Sequence, residues 1–194
     1  MTETHQNSLY EQFSIELQSL GGKAHLTKLS GLSEIVAKEA LRLDLKMIAA
    51  CVTEEKIRDS LLKFPKFTNW NWLHSSAVQQ EIRKDPAKYF DQMSAGVLSA
   101  DYFIASTATA VVGSVNSVSK LISLIPPVII LIGWLKHLVP DLNALMRRLE
   151  QEQLQSRDWH HLTFITGPSR TADIEKKLIL GVHGPKEVIC ILVE

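Results

Sequence analysis

Met47-Ile48-Ala49-Ala50-Cys51-Val52 is apolar at every position, and a strand that shows no alternation of apolar and polar residues is buried on both faces. Strands of that kind sit in parallel sheets with helices on either side. The residues before it agree. Leu32, Ile35, Val36, Ala40 and Leu43 recur at helical spacing, and Lys23 to Thr27 reads as a short strand, which predicts a β-α-β unit. Further upstream, Leu9, Phe13, Leu17 and Leu20 predict an amphipathic helix that Gly21-Gly22 ends.

Downstream the alternation of helix and strand continues. Thr53, followed by Glu54 and Glu55, reads as a capped helix start, with Pro65 as its stop. Phe64 to Trp72 mixes aromatic rings with Lys and Asn and reads as a loop folded onto the domain, a docking patch or a ligand lid. Asp85-Pro86 predicts a helix to Met93, with Asp as cap and Pro at the first helical position. Tyr102 to Ala105 and Thr109 to Val112 predict two strands around a tight turn at Ser106-Thr107-Ala108, with an antiparallel pair as one option there. Val128 to Gly133 is a further strand, with Leu121 to Pro127 as its approach. Leu142, Leu145, Met146 and Leu149 mark a helix beginning near Pro140. His161 to Ile165 and Glu187 to Val193 are strands, and Ile174 with Leu178, one helical turn apart, predicts a helix between them. The expected fold is α/β, a Rossmann-like, mostly parallel sheet flanked by helices, in a single domain over 1–194.

Composition narrows the function. A chain of 194 residues with 45% hydrophobic content can bury about 70% of its extended surface. Lys plus Arg and Asp plus Glu both number 21, so no basic face is offered to nucleic acid or anionic lipid. The apolar run Leu121 to Leu135 falls short of the roughly 20 residues of a membrane span and holds Pro126-Pro127, so no membrane insertion is expected. Met1 to Gln6 lacks the pattern of a secretory signal, which points to the cytoplasm. Cys51 and Cys190 sit in apolar runs and read as buried hydrophobes; two thiols are too few to build an iron–sulfur cluster alone. His160 and His161 face opposite sides of a strand, and the other histidines lack partners at ligand spacing, so no metal site is expected. No Walker loop or Gly-x-Gly-x-x-Gly fingerprint names a cofactor.

The densest chemistry lies in Thr166-Gly167-Pro168-Ser169-Arg170-Thr171-Ala172-Asp173 and Gly181-Val182-His183-Gly184-Pro185. At the carboxyl end of a sheet strand, Gly167 would admit close backbone approach. Ser169 and Thr171 would offer hydroxyls, Arg170 a fork for carboxylate or phosphate, and the expected helix its positive end. A plain helix-capping turn, with Thr171 as cap, fits the same residues. Asp173 and His183 suit a proton-handling pair, although a helix between them would hold them roughly 10 Å or more apart unless the helix is short and the chain doubles back or a second subunit completes the site; a His183 that merely fixes a Gly-flanked turn fits the same residues. Asp101, Thr107 and Thr109 form a second polar group.

The run GPSRTADIEKKLILGVHGP, with Ala100 to Thr109 upstream, closely resembles the signature of the LUD-domain family typified by lactate utilisation protein C. The resemblance covers roughly the second half of the chain. It implies the fold shared by glucosamine-phosphate isomerases, ribose-phosphate isomerases and CoA transferases, and bacterial oxidation of lactate to pyruvate beside iron–sulfur partner proteins. It further implies a small anionic or nucleotide-like ligand, held by Ser169, Arg170 and Thr171 with Asp101, Thr107 and Thr109 opposite, and leaves a homodimer open. Family members usually carry an acid and then Thr-Gly-Thr in the central turn; here Ser106 and Ala108 replace the acid and the glycine. That substitution keeps two other readings in view: a non-catalytic interaction module, and an enzyme of the CoA-transferase or sugar-phosphate isomerase type.

Overall fold

The computed structural model describes residues 3–63, 70–73, 76–114, 116–152, 159–172, 178–180 and 184–194. At its centre a six-stranded parallel sheet runs in the order β1 (Lys23–Thr27), β12 (Glu187–Val193), β7 (Val128–Trp134), β4 (Ala95–Ser99), β2 (Ile48–Cys51) and β3 (Asn71–Trp72). Side chains along each strand alternate between two cores. Ile189, Ile191 and Val193 of β12 join Ile130 and Ile132 of β7 on one face, covered by α2 (Leu32–Arg42) and α3 (Glu55–Leu62). Val188, Cys190 and Leu192 join Ile129 and Leu131 on the other, where α1 (Glu3–Ser19) inserts Leu9, Phe13 and Leu17. Both faces are apolar, so both must be covered.

The second face carries a further layer. A four-stranded mixed sheet, β8 (Leu138–Val139), β5 (Tyr102–Ile104), β6 (Thr109–Ser114) and β9 (His161–Thr166), packs against α1, and the Phe13 and Phe103 rings meet edge to face with centroids 5.5 Å apart. Its outer face buries Tyr102, Ile104 and Val111 against Leu145 and Leu149 of α7 (Leu142–Gln151). The Tyr102 hydroxyl donates to Glu152, which also accepts from Arg148 Nε at 2.8 Å. Gly133 of β7 makes the crossing between sheets possible: a Cβ there would stand 2.4 Å from the Ala100 carbonyl oxygen, on the link from β4 to β5.

Several expectations take a different form. β1 and β2 are parallel, but β12, β7 and β4 lie between them, so the β-α-β crossover is wide. Thr53 is not the cap of α3; that position is Glu54, and the Thr53 N–H instead donates to the Ser99 hydroxyl at 3.0 Å. Asp85 does cap α5 (Pro86–Asp91), accepting from the Lys88 N–H. The approach to β7 contains a short helix, α6 (Ser117–Ile122), capped by Asn116. α4 (Ser76–Lys84) follows β3, and Trp72 in that strand is buried with its ring stacked on Trp70 at 6.0 Å. Residues 64–69, including Pro65, and the charged stretch 153–158 lie outside the described residues. No described helix is long and apolar enough to cross a membrane.

A charge cluster pins α2 to the sheet. Glu39, only 4% exposed, accepts from Arg42 Nε at 2.6 Å, lies 3.1 Å from His25 Nε2 and 3.7 Å from Lys23 Nζ, while Arg42 also bonds Glu187 at the start of β12. Burial pushes the Glu39 pKa up, but the Arg42 hydrogen bond and the charges of Arg42, Lys23 and His25 outweigh it and hold the carboxyl below its ordinary value. A depressed carboxyl stabilises the fold above its unfolded pKa, and that contribution disappears as pH falls through the folded value. Glu39→Gln should therefore cost about 1.5–3 kcal/mol in urea denaturation at neutral pH. The gap from the parent should close in acid; an equal loss at all pH values would contradict the assignment.

Candidate functional site

The turn between β5 and β6 is a single 3-10 turn, Ala105 to Thr107, closed by Ala108 in the left-handed region at φ 48° and ψ 42°. An L residue there costs roughly 1–2 kcal/mol, and Ala108 gains part of it back because its methyl is fully buried against α1 and the inner core. The backbone shape that glycine serves cheaply is thus present with alanine. It lines up hydroxyls. Thr109 Oγ1 lies 2.8 Å from Thr107 Oγ1 and 2.7 Å from Thr166 Oγ1, because Thr109 and Thr166 are register partners in the β6–β9 ladder. Thr109 is buried, whereas Thr107 and Thr166 open to solvent, so the chain of three has two exposed ends. Ser106, which stands where the family pattern has an acid, is exposed beside it.

Gly167 follows directly, at φ +70°, and a Cβ on it would meet Leu20 Cβ at 2.9 Å. The loop is therefore seated on the end of α1. Pro168 is buried, and the Ser169 N–H donates to the Pro185 carbonyl at 2.8 Å, so that amide is already used within the protein. Arg170 and Thr171 then belong to β10 (Arg170–Ala172), which pairs antiparallel with β11 (Leu178–Leu180). This corrects the expected helix and the capping role of Thr171, and it removes the helix dipole from the anion argument. A spacing of four, as between Ile174 and Leu178, suits one face of a strand as well as one face of a helix, and Leu178-Ile179-Leu180 is a continuous apolar run. Asp173 and His183 lie outside the described residues. The strand leading to the loop is corrected too: β9 belongs to the mixed sheet and runs antiparallel to β6.

Asp101 sits elsewhere. Its Oδ2 accepts the Gly113 N–H at 2.7 Å and its own N–H donates to Val111, at the end of the β5–β6 ladder remote from Thr109. About 10 Å of strand separates the two groups, so Asp101 does not face Thr107 and Thr109 across one site. It follows the carboxyl end of β4 instead, while Ser169 neighbours the amino end of β12. Asp101 stands at the point where the connections of the parallel sheet diverge: β2 exits to α3 on one face and β4 to β5 on the other. Crevices at such a point are the usual ligand position of open α/β sheets. Ser99, unremarked in the sequence, organises it by accepting from the N–H groups of Thr53 at 3.0 Å and Glu54 at 3.3 Å. Thr166 heads the polar segment in the sequence, but its contact with Thr109 was hidden, because only strand register brings the two together.

A match to the LUD domain model extends over residues 10–193, and the chain belongs to that family. Lactate utilization protein C of Halalkalibacterium halodurans is 36% identical over 105 residues, covering 54% of this chain and 46% of the relative. An uncharacterized protein of Escherichia coli, YkgG, is 31% identical over 130 residues, covering 62% and 56%. The chain spans about half the length of the curated relatives it matches. A crystal structure of a DUF162 family protein from Deinococcus radiodurans shares the fold with a TM-score of 0.67 over 97% of this chain and 98% of that one, at 15% identity.

The thiol at the end of β2 is quiet. Burial, with the nearby Asp101 charge added, pushes Cys51 up to about 11, and burial alone pushes Cys190 higher still. Both should resist a disulfide reagent at neutral pH in the folded protein and react once it is unfolded in guanidinium, with the folded rate rising as pH approaches about 11. Rapid labelling of Cys51 at neutral pH in the native state would contradict this.

Proposed function

We propose that the chain acts in bacterial lactate utilisation as a single LUD domain that holds a small anionic or nucleotide-like group and works beside iron–sulfur proteins. The observation that carries the reading is the hydroxyl chain Thr107–Thr109–Thr166, set against Gly167 and Ser169, in a chain whose relatives are named lactate utilization protein C. Two exposed hydroxyl ends and the adjoining polar loop can bond an oxyanion; Arg170 and Thr171 would supply a cation and a further hydroxyl. Asp173 and His183 would handle protons, and a second copy of the chain is one way to bring them together. Two cysteines in buried strands leave electron transfer to partners. The left-handed turn supports retained binding over decay, since Ala108 holds it despite its cost.

Growth on L-lactate of a bacterial host deleted for its own lactate utilisation protein C tests the reading. The parent chain should restore growth. Thr109→Val, which keeps the shape and β-branching of a buried strand residue and breaks the hydroxyl chain, should lose about 1 kcal/mol of stability and most of the growth. Failure of the parent removes the lactate role. Full growth with Thr109→Val removes the hydroxyl chain from the site.

A further inference from the structure

A cavity of about 210 Å³ opens between α4 and the start of α6, lined by Leu73, Gln79, Ile82, Arg83, Asn116 and Val118. It adjoins the divergence point of the parallel sheet, since the Leu73 N–H donates to Ala50 of β2 at 2.9 Å and α6 packs on β2 and β4. Leu73 and Ile82 are buried members of the inner core, with Val118 packed against it, so the floor is apolar.

Two of the three polar groups, Gln79 and Asn116, are held in fixed roles. Gln79 Nε2 donates to the Leu73 carbonyl at 2.9 Å, which leaves its Oε1 as an acceptor. Asn116 Oδ1 accepts the Ser119 N–H at 2.9 Å, which leaves its Nδ2 as a donor. Arg83 forms no ion pair among the described residues, so its guanidinium fork is available to a carboxylate. One cation, one amide donor, one amide acceptor and an apolar floor describe a monoanion with a hydroxyl or oxo group and a short alkyl part. The volume lies below that of ordinary drug-sized pockets and limits the occupant to a few carbons. We propose that this cavity binds a short 2-hydroxy or 2-oxo monocarboxylate, with Arg83 on the carboxylate, Asn116 Nδ2 donating to the 2-oxygen, Gln79 Oε1 accepting from that oxygen where it is a hydroxyl, and Leu73, Ile82 and Val118 around the alkyl group. The assignment deepens the lactate reading by naming where its substrate class sits, apart from the hydroxyl chain.

The test is a titration of the whole chain, methyl-labelled at Ile, Leu and Val, with L-lactate, pyruvate, propionate and lactamide, followed by NMR. Saturable shifts should centre on the Leu73, Ile82 and Val118 methyls. Propionate should bind more weakly than lactate, and lactamide should not bind. Arg83→Met, which keeps the alkyl stem, should weaken lactate binding about tenfold or more while leaving the spectrum of the free protein folded. Shifts centred elsewhere, unchanged affinity in Arg83→Met, or no saturation by either lactate or pyruvate would overturn the site. The growth assay separates this from the lactate role: a parent that restores growth without binding lactate here loses the cavity assignment alone, and one that binds through Arg83 without restoring growth keeps it.

Discussion

A parallel sheet with two apolar faces dictates the arrangement of everything else. β7, β4 and β12 present Ile, Val, Leu and Ala on both sides, and water must be excluded from each. Two helices suffice for one face. On the other, α1 leaves room that the β5–β6 hairpin and its sheet complete, and it is this second covering layer that carries the threonine hydroxyls. The polar group is thus a by-product of burial, held in register by a core that includes Phe13, Phe103, Ala105 and Ala108.

The same constraint divides the polar residues into two places. A chain leaving β4 at its carboxyl end drops Asp101 at the divergence point, then runs through β5 before turning at Ser106 and Thr107. Residues six apart in sequence come to lie at opposite ends of the β5–β6 ladder. The Glu39 cluster, by contrast, lies towards the amino ends of β1 and β12 and has a mechanical role, tying α2 to β1 through Glu39 with Lys23 and His25 and to β12 through Arg42 with Glu187.

Much of the sheet was legible because Ile- and Val-rich runs such as Val128 to Gly133 and Glu187 to Val193 have no other stable place. β4 was not, since Ala95-Gly96-Val97 is small and polar-flanked; its fit depends on Ile122, whose Cγ2 would stand 2.8 Å from a Cβ on Gly96. The order of strands is a property of pairings across the whole chain and leaves no local trace. At the candidate site the special backbone at residue 108 was hinted at only by the resemblance, whose pattern has glycine there. The Thr109–Thr166 contact was not, because it is made by ladder register across 57 residues of separation. Leu178 to Leu180, a strand paired with Arg170 to Ala172, was misread as the end of a helix because a spacing of four satisfies both periodicities.

Three hydroxyls in a row can point their hydrogens in either of two directions, and the choice is cooperative, since each oxygen that donates to one neighbour is free to accept from the other. An acceptor arriving at Thr166 would draw all three one way, and one arriving at Thr107 would reverse them. Occupancy at either end of the row would thereby change the polarity met at the other, through the buried oxygen of Thr109.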